Sequence, residues 1–252
     1  TVERIAETRD RASRMERPRT PDSMSYALIR DRLQLETVSE ESRVLDMFPA
    51  AKSADYPSTD AEQYGRALAL MRAGSATEAI MALEALRDRR PDITLFHTAL
   101  GQAQLAAGRV EASRETLEEA MRLFPRNVPV TVRYAETLMR AGEFKRAHVV
   151  LLDLFNNVPP TAEQARFTAI AANSAGDVAD SYYYMSEYHI ISGDLALAIN
   201  QLRLAQAVPG INSVQRERFD ARIRELQEYL PKGRRAREVA EPQGTPPEPG
   251  SP

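Results

Sequence analysis

The sequence predicts an all-α fold, a solenoid of antiparallel helix hairpins stacked side by side, and three observations carry that expectation. Glycines recur with a 34-residue period, at Gly74, Gly108, Gly142 and Gly176. Small side chains recur in the same register, as Ala67, Gly101, Ala135 and Ala169 and again as Ala79, Ser113, Ala147 and Ser181. Between the glycines the pattern is helical. A proline (Pro91, Pro125, Pro159) closes each of the first three units, because proline cannot continue a helix.

Taken in chain order, residues 1–15 show helical spacing at Val2, Ile5 and Ala6. A second helix is expected from 21–22 to about 36, with Tyr26, Ile29 and Leu33 on one side. Between 38 and 59 the pattern fades into a connection marked by Pro49 and Pro57, with one short helix around 42–47. Four units then follow as 60–93, 94–127, 128–161 and 162–195, each glycine standing fifteenth. The small residues are eighth and twentieth, where they let the paired helices approach. The twenty-fourth position, Leu83, Leu117, Leu151 and Met185, supplies a large apolar side chain to fill the space between them. The fourth unit breaks the pattern: Gly193 follows Gly176 by half a period, where a proline is due. A register restarted at Ala179 puts Ser186 eighth, Ala198 twentieth and Leu202 twenty-fourth, so the helix near 179–192 serves two units. Asn212-Ser213 starts a last helix to about 230, whose Arg216, Arg218, Arg222, Arg224 and Glu225 suit the solvated end of an array. Residues 231–252, rich in Pro, Gly and charge, read as a disordered tail, its Lys232–Arg237 cluster included.

The 34-residue helix-pair period resembles the tetratricopeptide (TPR) repeat. Its resemblance implies a groove that holds polypeptide, lined by the first helix of each pair. The fifth position gives Tyr64, Thr98, Val132 and Arg166, the ninth Leu68, Gln102, Glu136 and Ile170, the twelfth Met71, Leu105, Met139 and Asn173. TPR domains that clamp a C-terminal carboxylate carry Lys at five and Asn at nine, and both are missing here. An extended or partly unfolded segment suits this mixed, Met-bearing set better. Each residue has a second reading, as core between repeats. Tyr182, Tyr183, Tyr184 and Tyr188 share one helix and cannot all face inward. Tyr183, Tyr184 and Tyr188 are therefore candidates for an aromatic surface, with filler for the irregular junction as the other reading.

The opening TVERIAETRDRA resembles the helix that follows the catalytic domain in bacterial zinc metallopeptidases of the periplasmic β-barrel assembly-enhancing protease type, which carry a TPR array behind it. The helix DSMSYALIRDRLQLE ahead of the first repeat fits the same layout. This resemblance implies a zinc-bearing protease domain upstream in the same protein, a periplasmic location, and a role in contacting substrate or the outer-membrane assembly machinery. The chain then divides into 1–59, the tail end of the protease region with its connection; 60–210, four to five repeats with a shift near 176–193; 211–230, a capping helix; and the tail at 231–252. A stand-alone TPR scaffold in envelope assembly or secretion is the alternative.

Chemistry within the chain itself is expected to be absent. No His-Glu-x-x-His occurs, and His97, His148 and His189 are widely separated along the chain, so they are read as structural, with no metal, cofactor or catalytic residue assigned. Acidic residues on helices read as solvated faces or arginine partners, such as Arg114 with Glu118 and Glu136 with Arg140. A net charge of -3 gives no reason to expect nucleic acid, and no apolar run is long enough to cross a membrane. Zero cysteines exclude disulfides.

Overall fold

A computed structural model describes residues 24–37, 41–48 and 58–230, and among these there are twelve helices and no strand. The helix expected at 1–15, most of the connection and the tail with its Lys232–Arg237 cluster lie outside the described residues. The chain divides into two compact units, 1–120 and 121–252.

The first unit holds α1 (Met24–Thr37), α2 (Glu41–Met47), α3 (Asp60–Arg72), α4 (Ala76–Arg89), α5 (Thr94–Ala106) and most of α6 (Val110–Leu123). Thr59 starts α3 through a reciprocal cap: Glu62 N donates to Thr59 Oγ1 at 3.2 Å, and Thr59 N donates to Glu62 Oε2 at 2.8 Å. Gly74 ends it at φ +80°, a left-handed conformation that costs a residue with a Cβ about 1–2 kcal/mol. That turn lets Gly74 N donate to Met71 O at 3.2 Å and Ser75 N to Leu70 O at 2.8 Å. The same bond pair recurs at Gly108, Gly142, Gly176 and Gly193, so the sequence period is the period of one hairpin turn.

The small and large positions meet as their chemistry requires. A Cβ on Gly101 would lie 2.6 Å from the Leu117 side chain, so α6 packs against bare backbone of α5. Ser113 Oγ donates to Gly101 O at 2.8 Å at the same crossing. Nearer the start of the array, α3 packs on both α4 and α5, and Tyr64, Leu70, Leu83, Leu86, Phe96 and Leu100 form one buried cluster.

Tyr26, Ile29 and Leu33 of α1 share one side, and that side faces outward. Leu28, Asp31 and Leu35 are the buried residues, whereas Tyr26, Ile29 and Leu33 are 57, 51 and 56 % exposed. Both stripes repeat at helical spacing, and a carboxylate in the buried one hid it; Asp31 is held by Arg30 at 2.8 Å. α1 and α2 both pack on α3. Leu35, Val44 and Phe48 enclose Ala69, and the Phe48 ring occupies the space that a Cβ on Gly65 would need.

The second unit contains α7 (Val128–Arg140), α8 (Phe144–Phe155), α9 (Ala162–Ala175), α10 (Val178–Ile191), α11 (Leu195–Ala207) and α12 (Ser213–Tyr229). Each packs on the next in chain order. Gly193 turns α10 into α11 at φ +87°, and Ser186, Ala198 and Leu202 of the restarted register are fully buried. α12 departs from the solvated end expected of it. Arg216, Arg224 and Glu225 are exposed, but Arg218 and Arg222 reach α10, pairing with Asp180 and with Glu187. The Arg222 fork is bidentate, both N···O distances being 2.9 Å.

Candidate functional site

The twelve groove candidates divide by helix. On α3, Tyr64 is fully buried with its ring 5.7 Å from that of Phe96, and on α5, Thr98 is buried with its hydroxyl donating to Leu95 O at 3.1 Å. Both are corrected to core residues. Leu68 and Met71 are half-buried against the clusters that α1 and α2 help to build, so these added helices cover ground a first repeat would expose. Gln102 and Leu105 of α5 are half-buried.

On α7, Val132, Glu136 and Met139 are half-buried, and Glu136 pairs with Arg133 at 2.7 Å rather than with the expected Arg140. The Arg114–Glu118 pair on α6 is present at 3.3 Å. On α9, Arg166, Ile170 and Asn173 are all exposed. Their spacing of four and three residues sets them on one face, with Ile170 48 % exposed between a cation and an amide. α7 and α9 both pack on α8.

The tyrosines of α10 are largely interior. Tyr184 is buried and edge-on to Tyr183, centroids 5.4 Å apart, which corrects its reading as surface. Tyr183 stacks on Phe219 at 5.7 Å, and the Arg218 guanidinium lies 4.2 Å from the Tyr183 ring centroid. Burial pushes both phenols above their ordinary pKa. Tyr188 is half-buried, 5.2 Å from the His189 ring.

Two of the three histidines are interior. His97 Nε2 lies 2.9 Å from Pro91 O, joining the start of α5 to the preceding turn. His148 of α8 is buried beside α10, its Nε2 3.5 Å from Asp180 Oδ2. Ligand atoms of His148, Asp177 and Asp180 lie within 4.8 Å of one another, a cluster the sequence reading missed. Histidine spacing along the chain could not reveal it, because the three residues come from adjacent repeats. The signal was positional: His148 is twenty-first in its unit, and Asp177 and Asp180 are sixteenth and nineteenth in the next. Burial raises the Asp180 carboxyl, but His148 and Arg218 outweigh it and hold it below the ordinary carboxylate range.

Among the described residues no helix is long and apolar enough to cross a membrane. The tetratricopeptide repeat family profile matches residues 104–170. Solved structures similar to the chain include TTC0263, a thermophilic TPR protein in Thermus thermophilus, at 18% identity, covering 79% of this chain and 98% of that one with a TM-score of 0.47. A TPR protein from Parabacteroides merdae is 11% identical, with coverage of 83% and 88% and a TM-score of 0.48. MamA from Desulfovibrio magneticus RS-1 is 14% identical, with coverage of 67% and 95% and a TM-score of 0.49. No curated protein matches. With its recurrent glycine turns, small-to-large crossings and matching repeats, the fold is all-α and of the tetratricopeptide type.

Proposed function

We propose that the chain is a noncatalytic protein–protein interaction module, binding substrate or assembly-machinery polypeptides for a periplasmic zinc metallopeptidase of outer-membrane protein quality control. The exposed Arg166–Ile170–Asn173 face of α9 carries the binding part of this reading. An apolar side chain flanked by polar groups on a packed helix gives a peptide both contact area and orientation. Half-buried Val132 and Met139 on α7 offer further apolar edges in the same unit. The protease association, the location and the zinc of an upstream domain rest on the resemblance of residues 1–12 and 22–36 alone.

Two measurements test it. Titration of the purified chain with a fluorescently labelled, unfolded outer-membrane β-barrel protein should give saturable binding. Ile170→Asp should weaken it about tenfold, the loss of roughly 1.4 kcal/mol of apolar contact. Binding unchanged by Ile170→Asp and Arg166→Glu refutes the α9 face. Reading the gene upstream of the codon for Thr1 should reveal His-Glu-x-x-His; its absence ends the protease association and leaves a stand-alone scaffold.

A further inference from the structure

We propose that His148, Asp177 and Asp180 form a binding site for a zinc-class divalent cation, bridging α8 and the start of α10. Sequence reading assigns no metal ligand to this chain, and the site is independent of the zinc of any upstream protease.

The spacing of the groups fits an ion better than a hydrogen bond. His148 is 6 % exposed and its Nε2 has no hydrogen-bond partner, though the ring points at a carboxylate. The Nε2–Oδ2 separation of 3.5 Å is longer than an ordinary N–H···O bond. It matches the edge of a zinc tetrahedron: two ligands at about 2.0–2.2 Å from one ion stand about 3.3–3.6 Å apart. Asp177 brings a third ligand atom within 4.8 Å.

The surroundings hold these groups in place. Asp180 Oδ1 accepts from Arg218, with Gln215 Nε2 at 3.5 Å, while Oδ2 faces His148. Outer partners of this kind fix the orientation of a ligating carboxylate. Asp177 Oδ1 is engaged by Asp180 N at 2.9 Å, and its second oxygen has no such duty in the cap. Asp177 is only half-buried, so its carboxylate sits on the solvent side of the cluster, where an ion would enter.

Charge and donor type then select the ion. Arg218 pairs with Asp180, and Asp177 brings a second carboxylate to the His148 ring, so the cluster offers a cation two anionic ligands beside one imidazole. The positive end of the α10 dipole opposes a cation, and two carboxylates at that end outweigh it. A donor set of one nitrogen and two oxygens suits zinc or cobalt, whereas magnesium and calcium favour oxygen alone.

The test uses the full chain freed of metal, with Zn²⁺ alone as the first probe. Calorimetry should give one high-affinity site per chain, and Co²⁺ should develop the visible absorption of a four-coordinate nitrogen–oxygen site. Asp177→Asn keeps a cap acceptor and should weaken Zn²⁺ at least tenfold without lowering the melting temperature of the metal-free chain. Zn²⁺ should also shift the imidazole NMR signals of His148 ahead of those of His97 and His189. Absence of stoichiometric binding overturns the site, as does binding that Asp177→Asn leaves unchanged. Binding that moves only the other histidines also overturns it.

Discussion

Gly101 shows how much one hydrogen atom decides. Replacing it with alanine drives a methyl into Leu117 at 2.6–2.9 Å, inside van der Waals contact. Gly101→Ala should cost about 1–3 kcal/mol by overpacking, read as a lowered midpoint in urea. Asp180 makes a different claim. Its folded pKa lies below its unfolded value, so its contribution is present above about pH 4 and lost as pH falls through the folded value. The wild-type chain should therefore lose stability more steeply on acidification below about pH 4 than Asp180→Asn, as measured by thermal melts across that range. Residue roles were the least legible part of the sequence. Position within a repeat placed Tyr64 and Thr98 on the groove, but burial depends on what lies over the helix, and in Tyr64's case Leu28 of α1 joins the same cluster. Tyr64→Ala should consequently cost about 3–5 kcal/mol of stability, a core loss rather than a binding loss.

Helices were read more surely than faces. The glycine turns, the proline stops and the capping residues act locally, so α3 to α12 follow from short stretches of sequence. Choosing which apolar stripe of α1 turns inward required knowing its partner; Tyr26–Ile29–Leu33 and Leu28–Asp31–Leu35 both repeat at helical spacing, and the more apolar one is outside. The polar last helix misled in the opposite sense. Its arginines looked like solvated charges, yet Arg222 grips Glu187 with side chains 26 and 15 % exposed. A double-mutant cycle with Arg222→Ala and Glu187→Ala should give a coupling of about 1 kcal/mol, above the usual exposed pair because both geometry and burial favour it. A value near zero would leave the docking of α12 to Phe219, Leu226 and the Arg218–Asp180 pair.

At the scale of the molecule, the 34-residue period made the fold legible from sequence alone. Periodicity survives because every repeat solves the same packing problem with the same small and large residues. The metal-ligand cluster escaped that logic, since His148 and Asp180 are joined across repeats by a relation no single repeat contains. Local coupling also predicts how damage spreads. Leu202→Ala, removing a fully buried side chain from α11, should cost about 2–5 kcal/mol. Hydrogen exchange should speed first in α10, α11 and α12, with amides of α3 to α5 following only at global unfolding.

The early turn at Gly193 has a further consequence. Gly176-Asp177 and Gly193-Asp194 are the same joint: a left-handed glycine, then an aspartate accepting from the amide three positions on, at 2.9 Å and 3.0 Å. Excising the stretch from Asp177 to Gly193 would rejoin chain ends of identical turn chemistry. The turn chemistry alone would let one helix be gained or lost here without a new linker, but α10 also carries Asp180 and Glu187, the carboxylates that hold Arg218 and Arg222 of α12.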